Sequence, residues 1–115
     1  MTKKLIEIRT YKLKKGSGNK FHQLVANQSM PLHLDWGMDV VVYGQSVHDE
    51  DAYFLIRAYD SLEHLEFSQN EFYATEQWRN GPRQGIVDLI ESDVNATLWL
   101  SNEAIESMKL SFQTW

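Results

Sequence analysis

The chain contains no cysteine, which removes disulfides, thiolate metal sites and cysteine nucleophiles together and suits a reducing compartment. No apolar run approaches the roughly 20 residues that a membrane-spanning helix requires. The N-terminus MTKKLIEIRT is charged within a few residues and lacks the apolar core of a secretory signal. A soluble, cytoplasmic protein without membrane contact is expected. Basic charge is scarce as well: 11 Lys and Arg stand against 16 Asp and Glu, a net charge of -5 that opposes phosphate-rich polymers and removes nucleic acid from the expected partners. The sequence has no G-x-G-x-x-G, no P-loop, no G-x-S-x-G and no H-E-x-x-H, so nucleotide-dependent, serine-hydrolase and zinc-protease chemistry find no support in it.

What is present describes one folded unit. With 115 residues, 43% hydrophobic and 12% aromatic, the chain is long enough for one modest core and too short for two. A single domain over 1–115 is expected, with a core at about 4–100 and a tail at 101–115. Six of the seven lysines fall between Lys3 and Lys20, where hydrated ammonium groups reach solvent easily. The four arginines differ: Arg9 and Arg57 sit inside apolar strand patterns, while Arg79 and Arg83 lie beside Trp78. Arginine tolerates such positions better than lysine because its planar fork satisfies a carboxylate with two hydrogen bonds.

Along the chain, KLIEIRTYKL alternates as a strand and LKKGSGNK reads as a turn in which Ser17 or Asn19 can cap a helix. The spacing of Phe21, Leu24, Val25, Leu32 and Trp36 predicts a helix from Lys20 to about Trp36, bent at Pro31 and ended by Gly37. MDVVVYGQSV and AYFLIRAYD form a hairpin around the acidic turn HDED. Asp60-Ser-Leu-Glu63 has the form of a capping box, opening a helix to about Glu91 with interruptions at Ser68, Thr75 and Gly81-Pro82. VNATLWLS is the fourth strand. In the tail, Ile105, Met108, Phe112 and Trp115 recur at helical spacing and are expected to dock.

Strand, helix, strand, strand, helix, strand is the split βαβ order of a ferredoxin-like α+β domain with a four-stranded antiparallel sheet. Strands one and three are then central neighbours with both helices on one face. Ile6, Ile8, Phe54, Ile56 and Ala58 supply an apolar face on which helices could pack. The other face would carry Glu7, Arg9 and Tyr11 with Tyr53, Leu55, Arg57 and Tyr59, and a second copy of the sheet is its expected cover, giving a homodimer.

Two readings attach to Glu7, Arg9, Tyr11, Arg57 and Tyr59. In one, the carboxylate holds both guanidinium groups in a structural network. In the other, one carboxylate facing two arginines leaves a positive excess for a small anionic ligand. Arg9, Arg57, Tyr11 and Tyr59 are the candidate catalytic residues of the second reading, with Glu7 as a further ligand-binding candidate. Trp78, Arg79 and Arg83 join the ligand-binding candidates, although an exposed helix pairing its arginines with Glu76 is the simpler expectation for them. The histidines, His22, His33, His48 and His64, form no cluster at ligand spacing, so no metal is expected. One axial histidine would suffice for haem, and His33 lies near Trp36, yet no cofactor is expected.

The runs IEIRTYKLKKGSGNKF, DVVVYGQSVHDEDAYFLIRAYDSLE and FYATEQWRNGPRQGIVDLIE, with E-x-R-x-Y and W-R-x-G-P-R as the more specific motifs, together resemble the NIPSNAP family of the dimeric α/β-barrel superfamily over roughly residues 4 to 100. The resemblance implies a ferredoxin-like subunit whose sheet packs against that of a second subunit to close a barrel, with helices outside. It implies no settled activity, since the superfamily spans cofactor-free monooxygenases, isomerases and haem-binding enzymes. A cofactor-independent enzyme and a non-catalytic dimeric binding or interaction module both stand as expectations.

Overall fold

The computed structural model describes residues 2–113 of the chain, without the side chain of residue 113. Four strands form one antiparallel sheet in the order β2-β3-β1-β4: β1 Lys3–Leu13, β2 Asp39–Gln45, β3 Ala52–Tyr59 and β4 Ile90–Ser101. β1 and β3 are central, as the split βαβ order requires. Their register sets Glu7 opposite Arg57, Arg9 opposite Leu55 and Tyr11 opposite Tyr53, so these side chains share a face.

The first helical segment is a single rod with a fault in it. α1 (Gly18–Leu24) passes into a π-helical turn at Val25–Ser29 and then α2 (Met30–Trp36), with Pro31 in the first turn of α2. Proline lacks the amide hydrogen, and its ring would strike a carbonyl one α-turn back; the widened turn accommodates both defects without breaking the rod. Gly37 ends it in the left-handed conformation at φ 90°. At the other end, Ser17 makes no cap; its hydroxyl donates to the Lys14 carbonyl instead. Asp51 ties the preceding turn to the hairpin by accepting the amides of Gly16 and Gly18, each at 2.9 Å. Gly18 is obligatory there because any Cβ would collide with the Glu50 carbonyl.

The second helical segment starts one residue later than the sequence suggests. Ser61 is the cap of α3 (Leu62–Tyr73), accepting from the His64 amide at 3.0 Å, while His64 Nδ1 accepts from the Asp60 amide at 2.9 Å. A histidine thus performs the reciprocal role expected of Glu63. α3 runs through Ser68 without interruption and stops at Ala74; α4 (Glu76–Arg79), capped by Thr75, and α5 (Arg83–Val87) follow.

The two faces of the sheet are the reverse of the expected assignment. α1 to α5 cover the face carrying Glu7, Arg9, Tyr11, Tyr53, Leu55 and Arg57, building the main core from Leu13, Phe21, Val25, Tyr53, Leu55, Phe72, Trp78 and Ile86. The chain's own helices, where a second copy of the sheet was expected, therefore cover the Glu7 face. That face accepts helices because its charged groups are paired and hydrogen-bonded to one another and its remaining side chains are large and apolar. The face of Ile6, Ile8, Phe54, Ile56 and Ala58 receives α6 (Asn102–Gln113) instead. Ile105 is buried against Ile6, Val41, Val42 and Ala58, Met108 packs beside it, and Lys109 Nζ reaches Asp39 at 2.7 Å. The tail helix thus docks on its own subunit; Trp115, the last residue of its predicted stripe, lies outside the described residues. Beyond α6 this face stays open, with Val94 70% and Leu98 39% exposed.

Candidate functional site

Glu7 is the hub of the charged cluster. Its Oε1 accepts from Arg57 Nη2 at 2.7 Å and Nε at 3.0 Å, and its Oε2 from Gln69 Nε2 at 2.8 Å and Arg9 Nη2 at 3.2 Å. Burial alone would raise its pKa; the Arg57 guanidinium, helped by Gln69 and Arg9, outweighs burial and holds the carboxyl below the ordinary range. Arg57 is 0% exposed. Beyond Glu7 it reaches His33 Nε2 at 3.1 Å and the Tyr73 hydroxyl at 2.9 Å, both through Nη1.

The hydrogen bonds fix the state of His33. Guanidinium nitrogens only donate, so Nε2 is the acceptor and Nδ1 carries the proton, donated to the Ser29 carbonyl at 2.9 Å. Burial, with Arg57 adding to it against the Ser29 carbonyl, lowers the His33 pKa to about 4. His33 is thus neutral at pH 7 with both ring nitrogens engaged, a structural spacer and no general base. It leaves one carboxylate against two guanidinium groups, an excess of one positive charge.

In front of this cluster, between the sheet and the helices, lies a cavity of about 360 Å³. Arg9, Tyr11, His33 and Tyr73 line its polar part; Phe21, Val25, Leu55, Trp78 and Ile86 form apolar walls; Arg83 and Asp93, both exposed residues, complete it. Burial pushes the Tyr11 phenol up to about 12, so it stands in the cavity as a neutral hydroxyl.

The candidates therefore separate. Arg9, Tyr11, Trp78 and Arg83 are cavity residues, whereas Glu7, Arg57 and Tyr59 stand outside the lining, with Tyr59 accepting from Gln69 at 3.1 Å. Arg79 is exposed and lines no part of the cavity. Trp78 is buried among His33, Phe72 and Tyr73, which replaces the exposed helix expected for it. Among the described residues no group of three or more His, Asp or Glu could hold a metal, and no helix is long and apolar enough to cross a membrane.

A family model for NIPSNAP matches residues 6–101. The chain belongs to the NIPSNAP family. Solved structures agree at the level of the fold. A NIPSNAP family protein of unknown function from Agrobacterium tumefaciens str. C58 is 24% identical, with 85% of this chain and 88% of that chain covered at a TM-score of 0.78. An uncharacterized NIPSNAP domain protein from Burkholderia xenovorans is 18% identical over 85% and 95% of the two chains, with a TM-score of 0.75. More distant is a protein from Nitrosomonas europaea provisionally designated an antibiotic biosynthesis monooxygenase, 13% identical over 85% and 97% of the chains, at a TM-score of 0.60. These likenesses establish the ferredoxin-like architecture of this NIPSNAP chain and no activity. No curated protein matches it significantly.

Four residues of the site were not among the candidates: Gln69, Tyr73, Ser29 and His33, the last weighed only as a metal or haem ligand. Gln69 and Tyr73 stand four apart, on the stripe of α3 begun by the buried Leu65, and that spacing was the available signal. Ser29 and His33 are likewise four apart, across the junction of the π turn and α2.

Proposed function

We propose that this NIPSNAP protein binds a small, largely apolar metabolite with one negative or negatively polarised end in the cavity between sheet and helices. The observation that carries this reading is an aromatic cavity of about 360 Å³ bordered by a cluster with one guanidinium in excess. The volume lies at the small end of the range of about 300–1,000 Å³ for ligand pockets. Arg9 is the member of the cluster with access to it, and Arg57 acts from behind by fixing Glu7 and Tyr73. Thermal melts with a panel of small carboxylates and phenols test the reading. A ligand at a hundred times its Kd adds about 2.7 kcal/mol of stability, which raises the midpoint by several degrees. Arg9→Met is expected to abolish that rise. A panel without effect, or an equal rise in the variant, would remove the anion site.

A cofactor-independent reaction of the isomerase or monooxygenase kind is the second reading. It is favoured by the phenol hydroxyls of Tyr11 and Tyr73 in the cavity, either of which could donate to a developing oxyanion. Turnover of a bound ligand separates it from a non-catalytic binding module.

The partner we propose is a second copy of the chain, seated on the open side of the sheet. What supports it is the exposed aliphatic surface of Val94 and Leu98, bordered by half-buried Ile8 and Ile56, and the exposure of β4 on both faces. Light scattering at micromolar concentration should give about twice the 13.4 kDa of one chain. A mass near 13.4 kDa would eliminate this partner.

A further inference from the structure

We propose that the hydroxyl of Tyr73 is the group that meets the ligand's polar end, and that it selects a single oxygen, as in a phenolate, an enolate or a carbonyl, over a carboxylate. This rests on the cavity being the ligand site. Tyr73 closes α3, is half-buried and lines the cavity. Its oxygen lies 2.9 Å from Arg57 Nη1 and 3.4 Å from Arg9 Nη1. Both nitrogens can only donate, so the phenol oxygen accepts twice and both lone pairs are used. What Tyr73 has left is its proton, and among the described residues no hydrogen bond uses it.

The two arginines of the cluster meanwhile have no fork to offer; Arg83, the remaining arginine of the cavity, is an exposed residue outside the cluster. Arg57 spends Nε and Nη2 on Glu7, and Nη1 on His33 and Tyr73. Arg9 spends Nη2 on both Glu7 and Gln69, and Nη1 on Tyr73, leaving its buried Nε without a partner. Bidentate carboxylate recognition needs two parallel N–H groups from one guanidinium, and each pair that Arg9 could present includes Nη2. The positive excess therefore reaches the cavity through phenol O–H groups, and Tyr73 is the phenol held by both guanidinium groups of the cluster. A single acceptor oxygen matches the Tyr73 donor, whereas a carboxylate in the same place meets no two-pronged guanidinium from Arg9 or Arg57.

The test is titration of the wild-type protein with 4-nitrophenol and its near-isostere 4-nitrobenzoate, at a pH where free 4-nitrophenol is half ionised. The phenol is expected to bind at least about tenfold more tightly. Its absorbance should move toward the ionised form on binding, because the cluster favours the phenolate. Tyr73→Phe keeps the ring and its packing; it should lose about tenfold in 4-nitrophenol affinity together with the absorbance change, while 4-nitrobenzoate is unaffected. If the variant does not fold, the wild-type preference and spectrum decide. Equal or tighter binding of 4-nitrobenzoate would overturn the single-oxygen selectivity and leave the anion site standing. Binding of neither probe would overturn the selectivity and the ligand-site reading together.

Discussion

Glu7→Gln is expected to cost about 3–5 kcal/mol of folding stability, the range for breaking a buried ion pair from one side. The change removes one negative charge from beneath two guanidinium groups, and Arg57, 0% exposed, cannot turn to water for compensation. The pH dependence follows from the same contacts. His33 has an ordinary pKa of 6.5 and is lowered in the fold to about 4, so the unfolded chain binds its proton first. Stability should therefore begin to fall as the pH drops below 6.5 and go on falling to about 4. Glu7 acts lower: its pKa is depressed from 4.5, so its contribution is complete above 4.5 and is lost as the pH falls through the folded value. Urea unfolding between pH 7 and 3 checks both stages. The Glu7→Gln variant should retain the first and lack the second, and a cost below about 1 kcal/mol at pH 7 would show that the carboxylate is not the hub.

Trp78→Ala should be comparably damaging, at about 3–5 kcal/mol, with loss of ligand binding as well. The indole is 8% exposed and sits 5.4 Å from the ring of Phe72, 5.2 Å from Tyr73 and 6.3 Å from His33, measured between centroids. Its removal opens the cavity wall and frees the ring of the tyrosine whose hydroxyl the two arginines hold. Trp78→Phe separates the two effects. It should recover most of the stability, because an aromatic still fills the wall, while a ligand's fit remains poorer. An alanine variant as stable as the wild type would mean that the α4 segment packs only loosely on the core.

The strand order and the central pairing of β1 with β3 were legible from the split βαβ order of elements, and the shared face of Glu7, Arg9 and Arg57 from period-two alternation. Which face the helices cover was not. Residue by residue, Glu7, Arg9 and Arg57 look too charged for a core beside Ile6 and Ile8, and the hydrogen bonds that satisfy them draw on Gln69, Tyr73 and His33 from helices far away in sequence. The cap of α3 moved for a similar reason: the His64 imidazole does what a carboxylate was expected to do, and only its rotamer reveals that. Residues of the cavity wall such as Trp78 could be proposed from a motif, but the space they enclose depends on the π turn before Pro31 and on the break at Thr75.

The most direct measurement is a crystal structure of the protein saturated with 4-nitrophenol. The phenol oxygen is expected at hydrogen-bond distance, about 2.6–3.2 Å, from the Tyr73 hydroxyl, with the ring between Phe21 and Trp78. A saturated crystal with the cavity empty and the probe bound elsewhere, for example on the open aliphatic face of the sheet, would contradict the assignment of this cavity as the site.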